Sequence, residues 1–297
     1  FEQSLQLKLQ LWDKDQTNSQ LIADIADTRS WLASAASAQG DISAAIKIHE
    51  QIQQLLVNNA LEKQPYLLER LSSSYRFLAS LMSYQGHLSQ AFTKAQLGLE
   101  TITNALKQDP DNDVWKLKQY YAYLDMLVFS TQYVDKNLDY SIETLTQNLS
   151  NDIAFANSNK KNPLQAKFQL SAATYLASQE LLPQGLVYAR QAIASFKQLT
   201  TEFTQDTSYS ISLAQSKVLT ATLLTSLNQP KEVQTLCEQS KMLLASIAEK
   251  SNAPQFTVPY AKALDCLGEL DQHYDLVKLL QQSNIADYRF NPKIKTL

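Results

Sequence analysis

Ala38-Gln39-Gly40-Asp41-Ile42-Ser43-Ala44-Ala45 and Tyr84-Gln85-Gly86-His87-Leu88-Ser89-Gln90-Ala91 are the two stretches that decide the fold. In each, a glycine is followed five positions later by alanine. The glycine supplies the left-handed backbone turn that ends one helix. The alanine lets a second helix return close against the first. The match extends outward in both directions. Leu32, Ala33 and Ala36 stand before Gly40 as Leu78, Ala79 and Met82 stand before Gly86. Ala45, His49 and Ile52 follow it as Ala91, Ala95 and Gly98 follow the other. The unit is a helix, a tight turn and a second helix, and it recurs.

Composition agrees. The 297 residues include only five glycines and eight prolines, too few for a turn-rich β protein or for glycine-built phosphate loops. A hydrophobic content of 44% is enough to bury a continuous core. The net charge is −3, with both signs interspersed and no basic stripe, so nucleic acid is excluded as a partner class. Lys160-Lys161 is too short for a polybasic membrane patch. No run of about 18 apolar residues exists, so direct membrane insertion by this chain is not expected. Phe1–Trp12 lacks the layout of a signal peptide, and the chain reads as a fragment of a longer polypeptide.

Further units repeat the pattern with less regularity. Gly185, Ala189 and Ala192 fit a second helix, with Ala173 and Leu176 on the helix before it. Val233, Cys237 and Ser240 fit again, after Ala221 and an Asn228-Gln229-Pro230 turn. The middle unit, Trp115 to Leu149, has no glycine; its turn is expected at Asp135-Lys136-Asn137-Leu138, with Ser141 at the small position. A last pair is expected near Tyr260–Leu270 and Tyr274–Ser283. Pro65, Asp109-Pro110-Asp111-Asn112, Asn162-Pro163, and Asn252-Ala253-Pro254 with Val258-Pro259 punctuate the units.

The spaced small residues resemble the tetratricopeptide repeat. The 46-residue step from Gly40 to Gly86 is longer than that family's repeat, so helices or linkers should be extended. The resemblance implies an all-α fold, a right-handed α-α superhelix of about six helix pairs, forming one solenoid domain over residues 1–297. It also implies a concave face lined by the first helix of each pair. Carried over, that face holds Asp27, Ser30, Ser34 and Ser37, then Ser73, Arg76, Ser80 and Ser83. Tyr123, Met126, Ser130 and Tyr133 follow, then Lys167, Leu170, Thr174 and Ala177, and then Gln215, Val218, Thr222 and Thr225. The candidate protein- or peptide-binding residues are Arg76, Ser80, Tyr84, Tyr123, Met126, Ser130, Tyr133, Lys167 and Thr174. Such a hydroxyl-rich lining suits an extended peptide held by hydrogen bonds and apolar contacts.

Catalytic chemistry finds no support. His49, His87 and His273 have no cysteine or carboxylate at metal-ligand spacing, and no nucleophile elbow, zinc helix motif or phosphate loop occurs. No cofactor is implied. Cys237 and Cys266 fall on consecutive helices, where either a disulfide or two small buried side chains would fit; the disulfide would imply an oxidising compartment. In the aromatic cluster Trp115, Tyr120, Tyr121, Tyr123, Phe129 and Tyr133, either Tyr120 and Phe129 are core with Tyr123 and Tyr133 exposed, or the reverse.

The stretch from Ile285 to Ile294 resembles a "Gly-Tyr-Arg-x-Pro" ending, with Asp287 at the glycine position. It is similar to the repeat regions of bacterial signalling proteins with a kinase or winged-helix domain, a membrane span and extracytoplasmic repeats. Asp27-Thr28-Arg29-Ser30-Trp31-Leu32 resembles their first repeats. That resemblance implies a periplasmic, non-catalytic sensor or docking region of a membrane-anchored protein. Its partner would be a protein or peptide, including a second copy of the chain in a homodimer. The alternatives are a cytoplasmic scaffold or co-chaperone-like adaptor, and a helical-solenoid enzyme.

Overall fold

A computed structural model of the chain describes residues 1–59, 64–130 and 163–285. Among these the structure is all-helical, and each helix begins or ends for a local reason. The helices are α1 (Glu2–Trp12), α2 (Ser19–Ala38), α3 (Ile42–Asn58), α4 (Pro65–Tyr84), α5 (Leu88–Gln108) and α6 (Asp113–Ser130). They continue with α7 (Pro163–Ser178), α8 (Leu182–Glu202), α9 (Thr207–Ser226), α10 (Val233–Ala248), α11 (Pro254–Cys266) and α12 (Tyr274–Gln282). Asn18, Asp41 and Asn112 cap α2, α3 and α6 by accepting from the amides of Leu21, Ala44 and Trp115 at 3.0, 2.9 and 3.1 Å. Prolines 65, 163 and 254 open α4, α7 and α11, where a missing amide hydrogen costs nothing. None of the described helices is long and apolar enough to cross a membrane.

The turns inside the pairs repeat one device. Gly40, Gly86, Glu180, Asn228 and Gly268 all take left-handed backbone angles, with φ between 56° and 84°. In each turn the following residue donates its amide back to the carbonyl five positions earlier. The five bonds are Asp41 to Ala36, His87 to Met82, Leu181 to Leu176, Gln229 to Leu224 and Glu269 to Leu264, at 2.8–3.0 Å. This geometry satisfies the last carbonyls of the first helix and sends the chain back along it. Glycine fills it at three turns, whereas Glu180 and Asn228 adopt it against the steric preference of a side-chain-bearing residue.

The contacts divide the chain into two units, one built on Phe1–Phe129 and one on Ser130–Gln282. In the first, α1 to α5 pack each on the next, and α2 also meets α4. Gln119 on α6 reaches Thr103 on α5 at 2.9 Å, and Asp125 on α6 pairs with Arg76 on α4. In the second, α7 to α12 likewise pack each on the next, with α7 also meeting α9 and α9 meeting α11. Within each unit, therefore, the first helix of a pair touches both its partner and the first helix of the following pair.

The small residues seen in the sequence are where helices approach closest. Ala45, Ala91, Ala95, Ala189, Ala192 and Cys237 are fully buried. Ser72 on α4 donates to the Gly98 carbonyl of α5 at 2.7 Å, and Ser240 on α10 donates to the Ala214 carbonyl of α9 at 3.0 Å. A methyl group on Gly98 would lie 3.0 Å from Cγ of Arg76 and 3.4 Å from the Ser72 carbonyl, tight enough that the Arg76 side chain would have to shift. Larger residues fill the space between, with Phe196 at the centre of one cluster, contributing about 2–3 kcal/mol by its burial.

Two sequence expectations change. The last pair begins at Pro254 rather than near Tyr260, and Pro259 lies inside α11. Proline here removes a single ladder bond, and the buried neighbours Thr257, Val258 and Ala261 hold the helix through it. That helix also ends earlier than expected, at Cys266, on the Gly268 turn. The expected Asp135–Leu138 turn, Ser141, Tyr133 and most of the C-terminal motif lie outside the described residues.

Candidate functional site

A cleft of about 330 Å³ opens in the first unit across the first helices of three pairs. Ala26, Asp27 and Ser30 come from α2, Glu69, Arg70, Ser73, Ser74 and Phe77 from α4, and Lys118 from α6, with Ile52 of α3 behind them. Three of these, Asp27, Ser30 and Ser73, are residues that the family resemblance places on the concave face.

Its polar side chains form a charge-balanced chain. Arg70 makes a two-pronged contact with Asp27, Nε to Oδ1 at 2.9 Å and Nη2 to Oδ2 at 2.8 Å, across α4 and α2. Its Nη1 donates to the Tyr66 carbonyl at 3.2 Å and meets Glu69 at 3.5 Å. Lys118 pairs with Glu69 and reaches the Ser73 hydroxyl at 3.4 Å. Ser73 in turn donates to Glu69 at 3.3 Å. Burial lowers the pKa of Lys118, partly offset by the charge of Asp27. Bidentate pairs of this kind hold geometry as well as charge.

The aromatic wall is Phe77. It stacks on the buried His49 of α3, with ring centres 5.6 Å apart. His49 Nδ1 lies 3.2 Å from the Ser74 hydroxyl, which also donates to the His49 carbonyl at 3.3 Å. Desolvation lowers the His49 pKa to about 4, so the imidazole is neutral at pH 7. Among the described residues no group of three or more His, Cys, Asp or Glu is placed to hold a metal ion.

The sequence-derived candidates fall in several environments. Arg76 is tied to Asp125 of α6 and lies over the Tyr121 ring at 5.6 Å, so it serves to dock α6. Met126 is 1% exposed and belongs to the core; its side chain is not presented to a ligand. Tyr120 and Phe129 are buried, whereas Tyr123 is half-buried rather than exposed. Ser130 is half-buried as well. Tyr84 is half-buried with a desolvated phenol, its pKa raised to about 12. Lys167 and Thr174 stand on α7, in the second unit, both half-buried.

The hydroxyls expected to hold a peptide are largely occupied. Ser34, Ser80, Thr174, Thr222 and Thr225 each donate to the carbonyl four residues earlier in their own helix. They can still accept, but their hydrogens are spent. Glu69, Arg70, Phe77 and Lys118 were missed by the sequence reading. Glu69 and Arg70 could have been found by extending the Ser73–Arg76–Ser80 stripe one turn toward the helix start.

Cys237 and Cys266 are joined as a disulfide, with Cα atoms 6.0 Å apart, linking α10 to α11. No protein-family model matches the chain, and no curated protein matches it.

Proposed function

We propose that this chain is a non-catalytic module that binds a protein or peptide along the first helices of a right-handed α-α superhelix of about six tetratricopeptide-like pairs. The observation that carries the reading is the cleft shared by α2, α4 and α6. It is open, it combines an aromatic wall with a fixed charged network, and its lining includes Asp27, Ser30 and Ser73, to which the resemblance assigns ligands. The five identical turns and the contacts between successive first helices support the repeat assignment. We further propose a sensor or docking role in a membrane-anchored bacterial signalling protein, outside the cytoplasm. The Cys237–Cys266 disulfide favours that location over a cytoplasmic scaffold.

The test uses peptides selected from a displayed random library against the wild-type chain. Ser73→Trp fills the cleft from α4, whereas Gln198→Trp places the same ring on an exposed position of α8. Enriched peptides should lose roughly tenfold or more in affinity for the first variant and keep it for the second. Equal binding by both would remove the cleft from the proposal.

A further inference from the structure

We propose that the cleft binds an organic cation, a primary ammonium or guanidinium such as the end of a lysine or arginine side chain in a docked peptide. The proposal rests on the binding role set out above and names the chemistry of what enters. It follows from which hydrogen-bonding capacity the cleft leaves unspent.

Most of the donors are engaged. Arg70 directs Nε and Nη2 to Asp27 and Nη1 to the Tyr66 carbonyl and Glu69. Lys118 is held by Glu69 and Ser73. Glu69, only 13% exposed, is itself taken up by Lys118, Arg70 and Ser73. Asp27 differs. Its side chain is 47% exposed, the most accessible in this network, and each of its oxygens accepts only one Arg70 bond. A carboxylate oxygen has two acceptor sites, so one on each remains. Ser30 stands one turn along on the same face of α2.

The aromatic wall points the same way. Phe77 is 56% exposed, although one side of its ring is covered by His49. An exposed aromatic face attracts a cation. The imidazole behind it is neutral at pH 7 and offers no repulsion. A ligand carboxylate would meet the open side of Asp27 and find most N–H groups of Arg70 and Lys118 already engaged. An ammonium would meet an acceptor and a ring, and its hydrocarbon stem would lie along Phe77 and Ala26.

The experiment follows backbone amides of Ser30, Phe77 and Lys118 by NMR during titration with four probes. These are capped Ala-Ala-Lys-Ala-Ala, its Glu and Leu counterparts, and n-butylammonium chloride. The Lys peptide should bind at least roughly threefold more tightly than the Leu peptide, with no saturable binding of the Glu peptide. Asp27→Asn should weaken the Lys peptide by roughly tenfold. Phe77→Leu leaves the ion pairs untouched and should weaken it by roughly threefold. Equal dependence of n-butylammonium on both substitutions would assign recognition to the ammonium itself; binding of the Lys peptide alone would assign it to a side chain presented by a backbone. Preference for the Glu or Leu peptide, or indifference to Asp27→Asn, would overturn the cation assignment while leaving a docking cleft in place. Unmoved cleft amides with every probe would overturn both.

Discussion

Lowering the pH should destabilise the first unit through one residue, His49. Its ring is buried, stacked on Phe77 and bonded to Ser74, and its pKa is depressed to about 4 from the ordinary 6.5. The folded state thus takes up fewer protons than the unfolded chain between those values. Stability from this group is complete above about pH 7 and is lost as the pH falls from the unfolded value of 6.5 to the folded value of about 4. Integrated from pH 7 to pH 5, the difference is about 2 kcal/mol, approaching about 3 kcal/mol below pH 4. His49→Phe removes the titration and keeps the stack, and Ser74 retains the carbonyl of residue 49 as its acceptor. Trp12, Trp31 and Trp115 all lie in the first unit, so tryptophan fluorescence during urea unfolding reports on it selectively. The wild type should lose about 2 kcal/mol more than His49→Phe between pH 7 and 5, a midpoint shift on the order of 1 M urea. Ion-paired carboxylates titrate in both proteins and cancel in the comparison. Equal losses in the two proteins, or an NMR titration of His49 near 6.5, would refute the reasoning.

Three further outcomes are expected. Reducing Cys237–Cys266, or replacing both by serine, should cost about 3–4 kcal/mol in the second unit, since the bond closes a loop across a separation of 29 residues; calorimetry with and without reductant measures it, and an unchanged transition would show the bond to be dispensable. Glu180→Gly should stabilise the α7–α8 turn by about 1 kcal/mol, because the left-handed φ of 60° is costly for glutamate and not for glycine; a lower melting temperature would contradict that. Gly98→Ala gains about 1 kcal/mol in helix propensity but drives a methyl group into Arg76 at 3.0 Å, losing about 1–3 kcal/mol of packing. A net loss in fluorescence-monitored stability is expected, and a gain would mean that Arg76 can move without cost.

What the amino-acid sequence determined by itself was local. Gly40 and Gly86 announce their turns because a left-handed cap depends on one residue and the amide beside it. Ala45, Ala91, Ala189 and Ala192 announce close packing because only a small side chain admits another backbone. Glu180 carries no such mark, and its turn was legible only through the residues on either side. The cleft was partly legible: the family resemblance assigned Asp27, Ser30 and Ser73 to one face, and all three line the cleft. Tertiary structure alone decided the rest. Arg70 meets Asp27, Lys118 meets Glu69 and Arg76 meets Asp125 across separations of more than forty residues. Those pairings depend on how far each first helix is rotated and shifted against the next. Periodicity states which residues share a face, but a charge finds its partner only when two faces are set in register. For the same reason Arg76 became part of the α4–α6 contact while Asp27, held by Arg70 but half in solvent, kept the accepting capacity that defines the cleft.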